Sequence, residues 1–133
     1  MSLLGWRALV HNPLSYHAGR WVKAIGPQAK AEDMTGYFDH VSMVDPLIAA
    51  KMIRGMHTHS AEDLLETIDV PVLIVHGTDD PFTPISVAKE MAERVPNAGL
   101  VVIENGSHTL PIEVPEEIVG ELKPFLKAVF SSP

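Results

Sequence analysis

Two short stretches hold the side chains best suited to moving a proton. In one, Gly77-Thr78-Asp79-Asp80-Pro81 sets two carboxylates into a turn; in the other, Glu104-Asn105-Gly106-Ser107-His108 ends on an imidazole. A carboxylate beside an imidazole forms an acid–base pair, because the carboxylate decides which ring nitrogen carries the proton. Such a pair works only if the backbone brings the two stretches together.

The residues before them supply that backbone. Val70-Pro71-Val72-Leu73-Ile74-Val75 is rich in β-branched residues, as expected of a strand covered on both faces, and such strands belong mostly to parallel sheets. Pro71 is tolerated at the strand's entry. Gly77 is expected to take positive φ as the chain leaves the sheet, and Asp79-Asp80-Pro81 to turn over the strand's carboxyl end. Ser86 to Arg94 has helical periodicity, with Val87, Met91 and Val95 on one side. Pro96-Asn97-Ala98-Gly99 breaks that helix, and Leu100-Val101-Val102-Ile103 reads as a second strand. The order is β-α-β. Neighbouring strands lie about 4.8 Å apart, so the aspartates and His108 come within reach at the edge where open α/β sheets place their ligands.

Gly77 to Pro84, followed by Gly106-Ser107-His108-Thr109-Leu110-Pro111-Ile112-Glu113-Val114-Pro115-Glu116-Glu117, with His108 28 residues after Asp80, resembles the last third of an α/β-hydrolase of the esterase, lactonase and C–C hydrolase type. The resemblance covers Ala61 to about Phe130 well and the first sixty residues loosely. It implies Asp80 as the acid and His108 as the base of a Ser-Asp-His triad, with Asp79 as the alternative acid. It also implies a small ester-like substrate for the intact enzyme, with no cofactor and no metal. In that family the serine stands upstream on a G-x-S-x-G elbow. None of Ser2, Ser15, Ser42, Ser60, Ser86, Ser107, Ser131 or Ser132 has glycines two residues before and after it. Ser107 adjoins His108, so their side chains diverge and the base cannot reach its hydroxyl; Ser60 and Ser86 sit where helix N-caps are expected.

The fold class expected is therefore α/β: a partial α/β-hydrolase fold, with a helical cap or lid over residues 1–60 and two parallel strands with helices over residues 61–133. A complete fold of this type needs roughly twice the chain. The resemblance thus implies the carboxyl-terminal half of a hydrolase, holding the acid and histidine without the serine. The alternative is a non-catalytic remnant that binds a partner or self-associates. In the first half, helices are expected over Leu3 to Val10, Leu14 to Ile25 (Trp21, Val22 and Ile25 on one stripe), Ala31 to Val44, and from Asp45-Pro46 through Met56. Met34, Met43, Met52 and Met56 read as core filling, though a lid would use the same residues. A last helix over Pro115 to Phe130 turns Ile118, Leu122, Leu126 and Val129 to the sheet, with a kink at Pro124.

Composition narrows the partners. The chain of 133 residues is 46% apolar and 20% charged, too apolar for disorder, and no apolar run approaches the ~20 residues that span a bilayer. A net charge of −7 with scattered Lys and Arg argues against nucleic acid and anionic membrane. The absence of cysteine excludes disulfides, thiolate metal sites and a cysteine nucleophile. His57-Thr58-His59 lacks a third metal ligand. With no export signal, the expected location is cytoplasmic. Two strands with open edges call for company, so a homo-oligomer or a complementing amino-terminal half is expected.

Overall fold

The computed structural model describes residues 3–131, with the side chains of Leu3 and His57 outside that description. Four helices come first: α1 (Leu3–Val10), α2 (Pro13–Trp21), α3 (Thr35–Met43) and α4 (Pro46–Thr58). A 3₁₀ turn over Glu62–Thr67 leads into β1 (Val72–Gly77), α5 (Ile85–Arg94), β2 (Ala98–Ile103), α6 (Leu110–Glu113) and α7 (Pro115–Phe130).

Two of the helices start on an acceptor side chain followed by proline. The Asn12 carbonyl accepts the N–H of Leu14 at 2.9 Å, and the Asp45 carboxylate accepts those of Leu47 and Ile48 at 2.8 and 3.3 Å. Pro13 and Pro46 occupy first-turn positions that have no N–H to satisfy. The end of α2 departs from expectation. Lys23 takes φ 59°, a left-handed turn that stops the helix after Trp21 rather than Ile25. The expected stripe is thereby split: Trp21 is 86% exposed, whereas Ile25, released from the helix, turns inward.

Ile25, Ala29 and Met34 form the core of the helical half, with Tyr16, Phe38 and Ile112 packed against it. The Tyr16 hydroxyl donates to the Ala29 carbonyl at 2.9 Å. α3 starts at Thr35, later than expected, because the residues before it are spent on turns that deliver Met34 to this core. Met34 is the one expected core methionine that is buried; Met43, Met52 and Met56 are exposed, as are Leu47, Ile48 and Ile53 on α4.

β1 and β2 pair in parallel as a two-stranded sheet, from Val72 beside Ala98 to Gly77 beside Ile103. The second strand begins at Ala98, so the pair Ala98-Gly99, expected to break the chain, is paired strand instead. α5 packs on both strands and α7 on β1. The buried stripe of α5 is Ala88 and Val95 with Met91 half-buried, and Val87 points outward. Ser86 falls inside the first turn of α5, whose N-cap position is Pro84, so it does not cap the helix. Ser60 does accept the N–H of Glu62, at 3.3 Å, at the head of the 3₁₀ turn.

Coverage of the sheet is thinner than the composition of β1 predicts. Val72 to His76 are only half-buried, since no further strand lies beside β1 among the described residues. α7 runs unbroken through Pro124 and presents Ile118, Phe125 and Val129 half-buried, while Leu122 and Leu126 are 38% and 40% exposed. No described helix is long and apolar enough to cross a membrane.

Candidate active site

The two strand-end loops are stitched together by backbone. Gly77 and Gly106 meet so closely that a Cβ on Gly77 would overlap the Gly106 carbonyl. Neither glycine has positive φ. Gly77 is needed for this close approach, not for the left-handed turn that its position suggests. Thr78 N–H donates to the Ile103 carbonyl at 3.1 Å, Asp79 N–H to the Gly106 carbonyl at 2.9 Å, and Asn105 N–H to the Thr78 hydroxyl at 2.8 Å. Asn105 holds φ 60°, a conformation that asparagine tolerates better than most residues.

On this frame the two aspartates part company. Asp79 turns toward the helical half and pairs with Lys23 at 3.6 Å. Asp80 turns to the second loop, where the His108 Nδ1 lies 2.9 Å from its Oδ2. The same carboxylate accepts the N–H groups of Phe82 at 2.8 Å and Thr83 at 3.1 Å, and the Thr83 hydroxyl at 2.8 Å. Burial of the Asp80 side chain, which is 8% exposed, works against its charge. The hydrogen bonds from His108, Thr83 and the two backbone N–H groups outweigh that penalty and hold its pKa down at about 2. Asp80 is therefore ionised, and a neutral His108 must place its proton on Nδ1 to pair with it.

That leaves Nε2 as the basic nitrogen, and it has no hydrogen-bond partner among the described residues. The Phe82 ring stands edge-on to the imidazole, centroids 4.9 Å apart at 81°, and limits its rotation. His108 also borders a cavity of about 440 Å³ whose walls include Trp6, Val10, Ile25, Tyr37 and Phe38. Trp6 contributes only its apolar face there, because its indole N–H is given to the Val41 carbonyl at 3.2 Å.

Other polar residues are committed elsewhere. Ser107 is buried and bonded to Glu113 and the Ala24 carbonyl, away from His108. His76 Nδ1 donates to the Gly77 carbonyl at 2.8 Å, and Nε2 lies 3.4 Å from the Thr83 hydroxyl. A second histidine, aspartate and serine meet where α1 joins α3: His11 Nε2 lies 3.1 Å from Asp39 and 3.2 Å from the Ser42 hydroxyl. This is a clasp and not a relay. One nitrogen serves both partners, and the fully buried Ser42 hydroxyl already donates to the Asp39 carbonyl at 2.7 Å. Among the described residues no three acidic or histidine side chains group around a potential metal, and the side chain of His57 lies outside them.

Phe82 and Thr83, which complete the surroundings of Asp80, and the buried Glu113 behind His108 are not among the site residues expected from sequence. The first two carried a signal: an aspartate can bond the N–H groups two and three residues on, and Asp80 does so here. Glu113 carried none: its partners Ser107 and Thr109 are near it in the chain, but nothing in their types or spacing announces that the three side chains are buried together.

Comparison with known proteins agrees with this architecture. RutD of Caulobacter sp. (strain K31), a protein named as a carbamate hydrolase, is 30% identical over 124 residues, 92% of this chain and 45% of that protein. The structure resembles a bromoperoxidase from Bacillus anthracis (TM-score 0.73, 21% identity, 94% of this chain and 48% of that one). It also resembles the esterase RhEst1 from Rhodococcus sp. ECU1013 (TM-score 0.62, 22% identity, 92% and 45%). The chain thus spans about half the length of the relatives it matches. Residues 50–126 match the α/β-hydrolase family described as TAP-like protein. That match takes in both strands, both loops and more than half of the sequence, and the chain belongs to the α/β-hydrolase superfamily.

Proposed function

We propose that this chain supplies the acid and base of a serine-type acyl hydrolase, with Asp80 as acid, His108 as base, and the serine contributed by polypeptide outside the 133 residues. The observation that carries the reading is the 2.9 Å contact between His108 Nδ1 and Asp80, with Nε2 left unpartnered on a ring that borders an apolar cavity. In the proposed reaction, Nε2 takes the proton of a serine hydroxyl as that oxygen attacks an acyl carbon. The resulting imidazolium is stabilised by Asp80 and passes its proton to the leaving group. Water then repeats the sequence to release the acid. The walls of Trp6, Tyr37 and Phe38 favour an ester or related compound with an apolar acyl group. The name of the relative RutD fits this class, since carbamates are cleaved at an acyl carbon as well.

The partner belongs to the same proposal. No strand among the described residues pairs with the outer edge of β1, and that edge is suited to a strand of a complementing amino-terminal polypeptide or of a second copy. The test mixes this chain with a polypeptide holding the earlier strands and a G-x-S-x-G elbow, and follows p-nitrophenyl acetate hydrolysis. This chain alone stays at background, the mixture turns over, and His108→Ala in the mixture abolishes turnover. Hydrolysis by the mixture that survives His108→Ala overturns the reading. The second reading, a non-catalytic module for binding or self-association, draws on the exposed apolar residues of α4. Light scattering that finds a stable oligomer, together with an inactive mixture, favours it.

A further inference from the structure

We infer that Glu113 is a positioning residue that holds His108 in register with Asp80 and ties that register to the loop between α2 and α3. His108 is flanked by two hydroxyl side chains, and both converge on one buried carboxylate. The Thr109 hydroxyl lies 3.0 Å from Glu113 Oε1, and the Ser107 hydroxyl contacts the same oxygen. Ser107, Thr109 and Glu113 are all buried.

Each hydroxyl has one proton to give, and both go to Glu113, which is a nearer acceptor for Ser107 than the Ala24 carbonyl at 3.3 Å. The Ser107 oxygen then accepts the Thr109 N–H at 3.2 Å, and the Thr109 oxygen accepts the Gly26 N–H at 3.3 Å. Two chains of bonds result, from Thr109 N–H through Ser107 to Glu113, and from Gly26 N–H through Thr109 to Glu113. The second reaches into the helical half. Gly26 packs directly on the carboxylate, where a Cβ would overlap it. Ile25, next in line, is a wall of the cavity beside His108. One acidic group thereby fixes both backbone neighbours of the histidine and one side of the pocket it faces. Without Glu113, the two hydroxyls lose their shared acceptor, Ser107 is left with the more distant Ala24 carbonyl at 3.3 Å, and the loop is free to re-form around other partners.

This inference concerns the Asp80–His108 geometry and does not need the hydrolase reading to hold, so it is tested without turnover. The test is NMR on the ¹⁵N-labelled full chain, reading the His108 Nδ1–H resonance, the ring tautomer and hydrogen exchange at the Gly26 amide. The unchanged chain shows a hydrogen-bonded Nδ1–H and a single tautomer. Glu113→Gln keeps an oxygen acceptor and retains both signals. Glu113→Ala loses the Nδ1–H resonance, mixes the tautomers and speeds Gly26 exchange at least about tenfold. Thr109→Val and Ser107→Ala each remove one arm and give intermediate loss, which serves if Glu113→Ala does not fold. A native Nδ1–H signal in Glu113→Ala, whatever its melting temperature, overturns the inference. So does equal loss in Glu113→Gln, or full retention in both single-arm variants.

Discussion

The strand-end loops and helix α4 lie on the same chain and are built on opposite terms. In the loops, Asp80 has four hydrogen-bond donors within the chain, Gly77 touches Gly106, and Glu113 serves Ser107 and Thr109. On α4, Leu47, Ile48, Met52, Ile53 and Met56 are each more than half exposed. Polar groups must be satisfied where they are buried, so the bonds around Asp80 and those to Glu113 close within the strand-end loops and the turn after them. Apolar surface carries no such local requirement and can be left for another surface to cover. The chain thus looks finished where it is polar and open where it is greasy.

That contrast can be broken by substitution. The largest effect is expected at Gly77→Val, whose side chain collides with backbone that cannot rotate away; a loss of about 3 kcal/mol or more in urea denaturation is expected. A shift below about 1 kcal/mol would mean that the loops are not stitched as described. Next, Met34→Ala should cost about 2–3 kcal/mol by opening a cavity in the helical core. Met52→Ala on α4 should stay within about 0.5 kcal/mol in the same assay. Equal costs would show that α4 is covered in solution.

Acid titration sharpens the polar side of the contrast. Asp80 is held at about 2 against an ordinary 3.8, so its contribution to stability is whole above pH 4 and disappears as the pH falls through 2. Allowing for solvent screening, that contribution is about 1 kcal/mol, read as the difference between the unchanged chain and Asp80→Asn across this window. No pH dependence in that difference would refute the hydrogen-bonded carboxylate. A small gain is expected at Gly55 in α4, where a Cβ meets nothing; Gly55→Ala should stabilise by about 0.5–1 kcal/mol through helix propensity, measured as a raised melting temperature.

Much of this arrangement was readable in the residues themselves. The β-branched run ending on Gly77 and the second run ending on Ile103 define parallel strands, and the loops after them bring Asp80 to His108. Sequence could not separate Asp79 from Asp80, because adjacent side chains diverge and only the placement of Lys23 and His108 decides which goes where. The end of α2 was hidden for a different reason: lysine seldom takes positive φ, and nothing local announces that Lys23 does. Ala98-Gly99 looked like punctuation because neither residue favours strands, yet pairing with Val72 and Leu73 overrides that preference. In the clasp of His11, Asp39 and Ser42 the last two stand one turn apart on α3, but only the packing of α1 on α3 brings His11 to them, and no spacing encodes that.

The bare backbone of Gly26 against the Glu113 carboxylate has a consequence for how this sequence can drift. Positions 26 and 113 are distant in the chain but occupy one space, so a side chain at 26 requires the group at 113 to give way. An ancestor or descendant with a side chain at 26 should carry a shorter residue at 113, or a Glu113 turned out of the space that Gly26 now leaves to it.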